Sequence, residues 1–298
     1  MAALPGARVA GSLPPSVDAI ATDSRAVKPG TLFIALRGTR TDGHAHLADA
    51  LARGASVVVV EDPTVSPNPN ATSRQPNETS PRPTVTSPRS NDTSPRPNVT
   101  LSLSKGEPSR HDVAIVTVAD TRLAASALAD AFFDHPSRDL TVIGVTGTNG
   151  KTTTTHLIRD VLESAGIPCG VIGTLGGAFR EHRWPLSNTT PLALELHGLL
   201  AAQRDAGAKA VAMEVSSHAL ALERVDDVRF VAGVLTNITR DHLDFHGTME
   251  RYVAAKRRLF ELTPAAAVNV DDPYGAIVYD ELPSASRALG YAIDAAPR

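Results

Sequence analysis

The chain has 298 residues, 42% of them hydrophobic, and 29 Lys and Arg against 32 Asp and Glu give a net charge of −3. That balance excludes the basic footprint of a nucleic-acid or anionic-membrane binder, and the length supports about two domains. A single cysteine, Cys169, excludes an internal disulfide framework and fits a reducing compartment, and no run approaches the roughly 18 apolar residues that span a bilayer.

In chain order, the opening MAALPGARVAGSLPPS lacks the continuous apolar core of a signal peptide, so a soluble cytoplasmic protein is expected. Residues 19–60 read as compact α/β structure. TLFIAL (Thr31–Leu36) and ASVVVVED (Ala55–Asp62) are apolar runs of strand length. Between them, HLADALARGA carries Leu47, Ala50, Leu51 and Ala55 at helical spacing, with Gly54 as a stop.

The composition then changes abruptly. Ten of the 22 prolines fall between Pro63 and Pro108, among Ser, Thr and Asn, and the near-repeat TSPRPTVTSPR, TSPRPNVT lies within the stretch. Prolines remove backbone donors, and too few apolar side chains remain to offset the ordering entropy. A disordered insert over about 63–110 is the expectation. Its Asn70, Asn77, Asn91 and Asn98 each begin an Asn-x-Thr glycosylation tripeptide. Such tripeptides arise readily in an Asn/Thr-rich tract, and that functional reading is set aside. Order is expected to resume with the strand VAIVTV (Val113–Val118). A helix TRLAASALADAFF comes next, with Leu123, Ala127, Leu128, Ala131 and Phe132 on its inward face. DHPSRD (Asp134–Asp139) reads as a domain linker.

LTVIGVTG (Leu140–Gly147) reads as an apolar strand and TTTHLIRDVLESAG as an amphipathic helix ending at Gly166. The turn between them, GTNGKTT, resembles a phosphate cradle. It misses the pattern G-x-x-x-x-G-K-[ST], because Val145 stands five residues before Gly150. A strand leading through glycines into a helix N-terminus still offers free N–H groups and a favourable dipole to an anion. Gly147 and Gly150 allow close backbone approach, Lys151 can reach terminal phosphates and Thr152 can bind Mg²⁺.

Two further apolar strands, AKAVAMEVSS (Ala208–Ser217) and RFVAGVLTN (Arg229–Asn237), run into polar ends. The first reaches Glu214, Ser216, Ser217 and His218; the second reaches Thr239, Asp241, His242, Asp244 and His246. Ligands of parallel α/β sheets sit beyond the carboxyl ends of strands, so three consecutive strands are expected to deliver these groups to one edge. Glu214 would be a hard oxygen ligand near Mg²⁺. In MERYVAAKRRLFEL, Lys256 falls on the apolar face of Tyr252, Val253, Leu259 and Phe260, while Arg257 and Arg258 are expected to point away. Periodicity leaves two readings of Lys256 open. One is a desolvated neutral amine able to form a carbamate with CO₂; the other is a lysine that snorkels to the surface.

GTNGKTTT, NTTP (Asn188–Pro191), MEVSSHAL (Met213–Leu220), TNITRDHLDFHGTMERYVAAKRRLF and DSRAVKPGTLFIALRGTRTDGH together resemble the Mur ligases, and within them the MurE type. The resemblance covers nearly all of the chain outside the insert. It implies an α/β protein with a small N-terminal UDP-sugar-binding domain over 1–138 and a mostly parallel-sheet, P-loop-type ATPase domain over 139–298. It also implies an ATP- and Mg²⁺-dependent ligase of peptidoglycan precursor synthesis. Such an enzyme adds meso-diaminopimelate or L-lysine to UDP-MurNAc-L-Ala-D-Glu through an acyl phosphate, and a monomer is expected.

By the same resemblance, the family loop GTNGKT[ST] maps onto Gly147, Thr148, Asn149, Gly150, Lys151, Thr152 and Thr153. Thr152, Glu214 and His242 would hold metal, joined by Lys256 as an N6-carboxylated lysine, and Lys151, His242 and Lys256 would be the catalytic set. Thr189, Thr190, Ser216 and Arg224 match contacts to the muramoyl dipeptide. Ser24 matches a contact to the UDP end, with Arg40, Thr41 and Asp42 as further candidates for that pocket. The chain departs from the family in its Pro/Ser/Thr insert and in ending at Arg298, inside the central domain and before the third, ligase domain. Two alternatives stay open: a non-catalytic nucleotide- and UDP-sugar-binding remnant, and a folylpolyglutamate synthetase-like ligase.

Overall fold

The computed structural model describes residue 4 and residues 6–38, 42–62, 113–282 and 286–293. The expected insert with its four glycosylation tripeptides, and Arg40 and Thr41, lie outside the described residues. Two sheets organise the molecule. The first is built from β1 (Arg8–Ala10), β2 (Ala19–Ala21), β3 (Thr31–Ile34), β4 (Ala55–Glu61) and β5 (Ala114–Val118), with helix α1 (Leu47–Ala52) before β4 and helix α2 (Thr121–Phe132) after β5. The strand order is β1-β5-β4-β3-β2, parallel except for the edge strand β1. Alternation explains why β3 is buried along its whole length. Leu32 and Ile34 enter one apolar cluster with Val57, Val59 and Val116, and Phe33 enters another with Ala50 and Val58.

The sequence expectations hold here with two corrections. Gly54 ends α1 with φ +94°, but Ala55 belongs to β4, not to the helix. In α2 the buried stripe is Thr121, Ala124, Ala125, Ser126, Ala129 and Asp130, while Leu123 and Phe132 are more than a third exposed. The reason is a second packing partner. The helix beds on the first sheet and also against a helix of the second sheet, so small side chains face inward on both flanks.

The second sheet starts with β6 (Thr141–Thr146) and helix α3 (Lys151–Ser164), then β7 (Cys169–Gly173), the antiparallel pair β8 (Gly176–Phe179) and β9 (His182–Trp184), and helix α4 (Ala193–Asp205). It continues through β10 (Ala210–Glu214), α5 (Ser217–Ala221), β11 (Phe230–Leu235), α6 (Leu243–His246) and α7 (Met249–Glu261). It closes with β12 (Ala265–Asn269), α8 (Pro273–Asp280) and β13 (Arg287–Tyr291). The order β13-β12-β11-β6-β10-β7-β8-β9 is parallel through β7 and antiparallel beyond it. Strands β6, β10 and β11 are therefore neighbours in space, with β6 in the middle. Contrary to expectation they are not consecutive in the chain, because β7, β8 and β9 intervene between β6 and β10. No helix among the described residues is long and apolar enough to cross a membrane.

The segment Asp134–Asp139 passes between the sheets as a packed corner, not a loose tether. Asp134 and His135 have φ of +56° and +50°, Pro136 and Ser137 are buried, and the Ser137 hydroxyl accepts from the Arg229 N–H at 3.0 Å. Nearby the Ser126 hydroxyl of α2 accepts from the Asp227 N–H at 3.2 Å.

Helix α7 lies unusually close to the second sheet. A Cβ on Gly144 of β6 would lie 3.1 Å from Leu259 Cδ1, and one on Gly233 of β11 would lie 3.2 Å from Phe260 Cε1. Two bare strand positions thus let Leu259 and Phe260 sit directly on the backbone. Filling one of them should lift the helix. Gly233→Val is expected to destabilise the chain by about 1–3 kcal/mol, since overpacking forces off-rotamer side chains or backbone shifts. Urea unfolding midpoints of the two proteins check this.

Candidate active site

The glycine-rich turn begins directly after β6. Gly147 adopts φ +145°, and a Cβ there would stand 1.9 Å from Thr236 Oγ1; Gly150 adopts φ +83° and has no side-chain cap to offer α3. Both positions demand glycine, the first through contact and both through conformation. The first N–H groups of α3 have no partner within the helix. An anion seated there would satisfy them.

Residues beyond β11 strap the turn in place. The Thr148 N–H donates to Asn237 O at 2.8 Å and the Asn149 N–H to Asn237 Oδ1 at 3.1 Å. Thr236 Oγ1 and Asn237 Nδ2 both donate to Asn149 O, at 2.6 and 3.1 Å. The Thr148 hydroxyl donates to Thr239 O at 3.1 Å and accepts from the Thr239 N–H at 2.9 Å. Its proton is then committed, so the buried Tyr252 hydroxyl, 3.0 Å away, is the donor in that pair.

Two lysines converge on the turn. Lys151 Nζ donates to the carbonyls of Gly147 and Thr148 at 3.0 and 2.9 Å, and Lys256 Nζ donates to the same Gly147 carbonyl at 2.7 Å. Lys256 is only 2% exposed and lies 4.6 Å from the centre of the Tyr252 ring. The snorkelling alternative is therefore excluded. Burial, and then the Lys151 ammonium, push Lys256 down to about 7, and burial also lowers Lys151. Arg258 does not point away as expected. It is half-buried and pairs with Asp226 and with Glu223, because α7 packs beside α5 and the turn after it.

Glu214 ends β10, in register with Val145 of β6, and is 2% exposed. Its Oε1 accepts from Thr152 Oγ1 and from the Thr174 N–H, both at 2.8 Å, and its Oε2 accepts from Thr174 Oγ1 at 3.2 Å. A Cβ on Gly173 would lie 2.2 Å from Glu214 Oε1, so the carboxylate occupies space that only glycine leaves. Thr190 joins on from below: its hydroxyl donates to Glu214 O at 2.9 Å and accepts from the Ser216 N–H at 3.0 Å, and Arg224 Nη1 donates to Thr190 O at 3.1 Å. Thr189 Oγ1 lies 3.1 Å from Thr174 Oγ1.

His242 stands at the start of α6 with φ +50°, its ring half-exposed, 3.4 Å from Asp241 and edge-on to His218 at 4.8 Å between ring centres. Among the described residues it shares no hydrogen bond or ion pair with Glu214. No three His, Cys, Asp or Glu side chains among the described residues converge there to hold a metal. A cation at Glu214 would thus draw on the Thr152 hydroxyl and on ligand oxygens, as Mg²⁺ commonly does with phosphates. Behind His242, His246 Nε2 lies 2.9 Å from Ser217 Oγ, and burial brings His246 down to about 4.

Ser24 is elsewhere. It lies after β2 on the first sheet, 7% exposed, bonded to Asp49. Asp42 caps the turn before α1 and accepts from His44 Nδ1 at 2.6 Å. The residues that sequence reasoning missed are Thr174, Thr236, Asn237 and the hydroxyl of Tyr252. Each acts through hydrogen bonds made possible by tertiary proximity, and none carries a spacing signal.

With this geometry in view, comparison with known proteins is decisive. Residues 145–297 match the family model for the Mur ligase middle domain, and residues 16–90 match that for the Mur ligase family, catalytic domain. The chain belongs to the Mur ligase family. A UDP-N-acetylmuramoyl-L-alanyl-D-glutamate–2,6-diaminopimelate ligase of Geobacter metallireducens is 42% identical over 275 residues, covering 89% of this chain and 45% of that protein. The protein of the same name from Pseudomonas aeruginosa is 39% identical over 255 residues, covering 85% and 44%. A solved structure of a ligase of that name superposes with a TM-score of 0.67 at 26% identity, over 94% of this chain and 49% of that one. The fold alone is shared with a MurF of Acinetobacter baumannii, at a TM-score of 0.56 and 22% identity. This Mur ligase chain thus spans about half the length of the curated relatives it matches.

Lys256 yields a test that needs no ligand. An unfolded lysine titrates at about 10.4, whereas this one is held at about 7 in the fold. Below pH 7 both states are protonated and the fold bears the full cost of a buried ammonium. Between the two values the unfolded chain keeps a proton that the native state has released, so stability rises with pH until the cost is gone. Lys256→Met is expected to stabilise the chain at pH 6 by about 1–4 kcal/mol. The gain should fade as the pH approaches 10. Urea unfolding in bicarbonate-free buffer across this range is the measurement.

Proposed function

We propose that these residues form the nucleotide- and UDP-sugar-binding part of a ligase that extends the peptide of UDP-MurNAc-L-Ala-D-Glu by a diamino acid. The observation that carries this is the meeting, at one sheet edge, of three features. These are the uncapped start of α3, the Thr152–Glu214 hydrogen bond, and the buried Lys256 beside the Gly147 carbonyl. The names of the relatives, 2,6-diaminopimelate ligases acting on UDP-N-acetylmuramoyl-L-alanyl-D-glutamate, support the choice of substrate and of diaminopimelate. In this reading residues 1–138, with Ser24, hold the UDP end, and residues 139–298 hold ATP.

Bound Mg²⁺-ATP would supply the phosphoryl group that activates the substrate carboxylate as an acyl phosphate, from which the incoming amine displaces phosphate. The chain's own task is alignment and charge neutralisation. Gly147, Thr148, Asn149, Gly150, Lys151, Thr152 and Thr153 would wrap the phosphates with N–H groups and one ammonium. Thr152 can offer a hydroxyl lone pair to the cation while its O–H keeps donating to Glu214, and His242, which follows β11 on the same sheet edge, would have to be joined to the set through the ligand. Thr189, Thr190, Ser216 and Arg224 form a connected layer beside Glu214, suited to the peptide carboxylate.

Lys256 fits the N6-carboxylated form. Carbon dioxide adds only to a neutral amine, releasing a proton, and a pKa of about 7 makes that form abundant at neutral pH. The carboxylated side chain would keep an N–H for the Gly147 carbonyl and would turn its repulsion from Lys151 into attraction.

The nucleotide part is tested by titrating a fluorescent ATP analogue with Mg²⁺ into the chain. Lys151→Ala is expected to weaken binding at least tenfold, the scale of a lost charge-assisted hydrogen bond. Unchanged affinity would sink the loop assignment. For the whole protein, phosphate release is expected with UDP-MurNAc-L-Ala-D-Glu plus meso-diaminopimelate or lysine, and not with a folate plus glutamate. The reverse preference would point to folylpolyglutamate chemistry, and nucleotide binding without any release to a non-catalytic binder.

A further inference from the structure

The residue after β7 touches more of the candidate site than its sequence position suggests. Thr174 donates twice to one carboxylate: its backbone N–H to Glu214 Oε1 at 2.8 Å and its hydroxyl to Glu214 Oε2 at 3.2 Å. Since that hydroxyl proton is committed to Glu214, Thr189 is the donor in the 3.1 Å pair between the two threonines. A directed chain results, running from the Thr189 hydroxyl through the Thr174 hydroxyl to Glu214. A second observation shows that the seat is built for the carboxylate. Gly173 immediately before it has no side chain, and a Cβ there would fall 2.2 Å from Glu214 Oε1. Between them, Thr174 and Thr152 place three donors on Glu214, fixing its rotation about the last torsion.

We propose that Thr174 is a positioning residue: it locks the Glu214 carboxylate in the orientation that faces a nucleotide-bound divalent cation and couples that orientation to Thr189. The proposal rests on the nucleotide reading of the glycine-rich turn. Its chemistry comes from the inventory of donors. A carboxylate free to rotate offers a cation a varying face, whereas one clamped on both oxygens holds its remaining lone pair, on Oε2, in one fixed direction. Thr174 itself is exposed, so changing it leaves the core untouched.

The experiment measures binding of a fluorescent ATP analogue to the 298-residue chain over a range of Mg²⁺ concentrations, and again in excess EDTA. Thr174→Val, which keeps the shape and the backbone N–H but loses the hydroxyl, is expected to raise the Mg²⁺ concentration for half-maximal binding about tenfold. Affinity in EDTA should be unchanged, and Thr174→Ser should return the Mg²⁺ requirement to within about threefold of the parent. A general structural effect would instead weaken binding equally with and without Mg²⁺, and that result overturns the proposal. So does a Thr174→Val protein with the parent's Mg²⁺ requirement, or a Thr174→Ser protein as impaired as the valine variant. If the parent chain itself shows no Mg²⁺-dependent binding, the nucleotide reading fails and this proposal with it. Normal behaviour of the parent alongside an indifferent Thr174→Val overturns the role of Thr174 alone.

Discussion

Helix α7 lies on β6 and β11 more closely than side chains on those strands would permit, because Gly144 and Gly233 present bare backbone to Leu259 and Phe260. That contact decides where Lys256 goes. One turn before Leu259 on the same face, the lysine has no route to water and ends 2.7 Å from the Gly147 carbonyl. Tyr252, a further turn back, sets its hydroxyl on Thr148 and its ring against the ammonium. A single helix-on-sheet contact thereby fixes both an unusual amine and the loop beside it. The arrangement carries a stability penalty, since burial and Lys151 both oppose the charge on Lys256.

The loop is held by partners far away in sequence. Thr236, Asn237 and Thr239, some 90 residues on, supply most of the hydrogen bonds to Thr148 and Asn149. Glu214, 62 residues from Thr152, is oriented by Thr174, 40 residues before it. These links work because β10, β6 and β11 are adjacent parallel strands whose carboxyl ends share one edge. Donors aimed in advance at where charge will sit need no rearrangement when it arrives, which is the physical value of such a scaffold.

How far the sequence discloses this depends on the range of each interaction. Strands β3, β4, β5, β6, β10 and β11 and helices α1, α2, α3 and α7 are legible because hydrophobic period and helix stops are local signals. Helical spacing puts Lys256 on an apolar face, but its burial is settled only by the sheet beneath. The inward face of α2 is not legible, since it depends on the second sheet's helix packing behind it. Leu123 and Phe132 look like core residues until Ser126 and Asp130 are seen facing the seam. Likewise Arg258 reads as solvent-facing until Asp226 and Glu223 are brought beside it by the turn after α5. Thr174 and Tyr252 escaped as functional candidates for the same reason. Their hydroxyls matter only through tertiary neighbours. The order of strand, glycines, Lys-Thr and helix made a phosphate cradle legible, but its mapping onto a family loop came from resemblance, because Val145 breaks the standard P-loop spacing.

Lys151 and Lys256 crowd each other at Gly147, and Lys151 is one cause of the lowered Lys256 pKa. Two lysine amines share one carbonyl and repel whenever both are protonated, while the buried carboxylate Glu214 is already engaged with neutral donors. Any polyanion seated on the start of α3 would relieve the repulsion between Lys151 and Lys256 and, by linkage, pull the pKa of Lys256 upward from about 7. Carboxylation of Lys256 would relieve the same repulsion by the opposite route, placing a negative charge where the second positive one stood. The two solutions compete for one amine. A phosphate favours the protonated form, whereas carbon dioxide requires the neutral one. A bound cation would reconcile them by supplying positive charge against which both negative groups could sit. On the proposed reading, a divalent ion held beside Glu214 would offset that negative charge at this edge of the sheet.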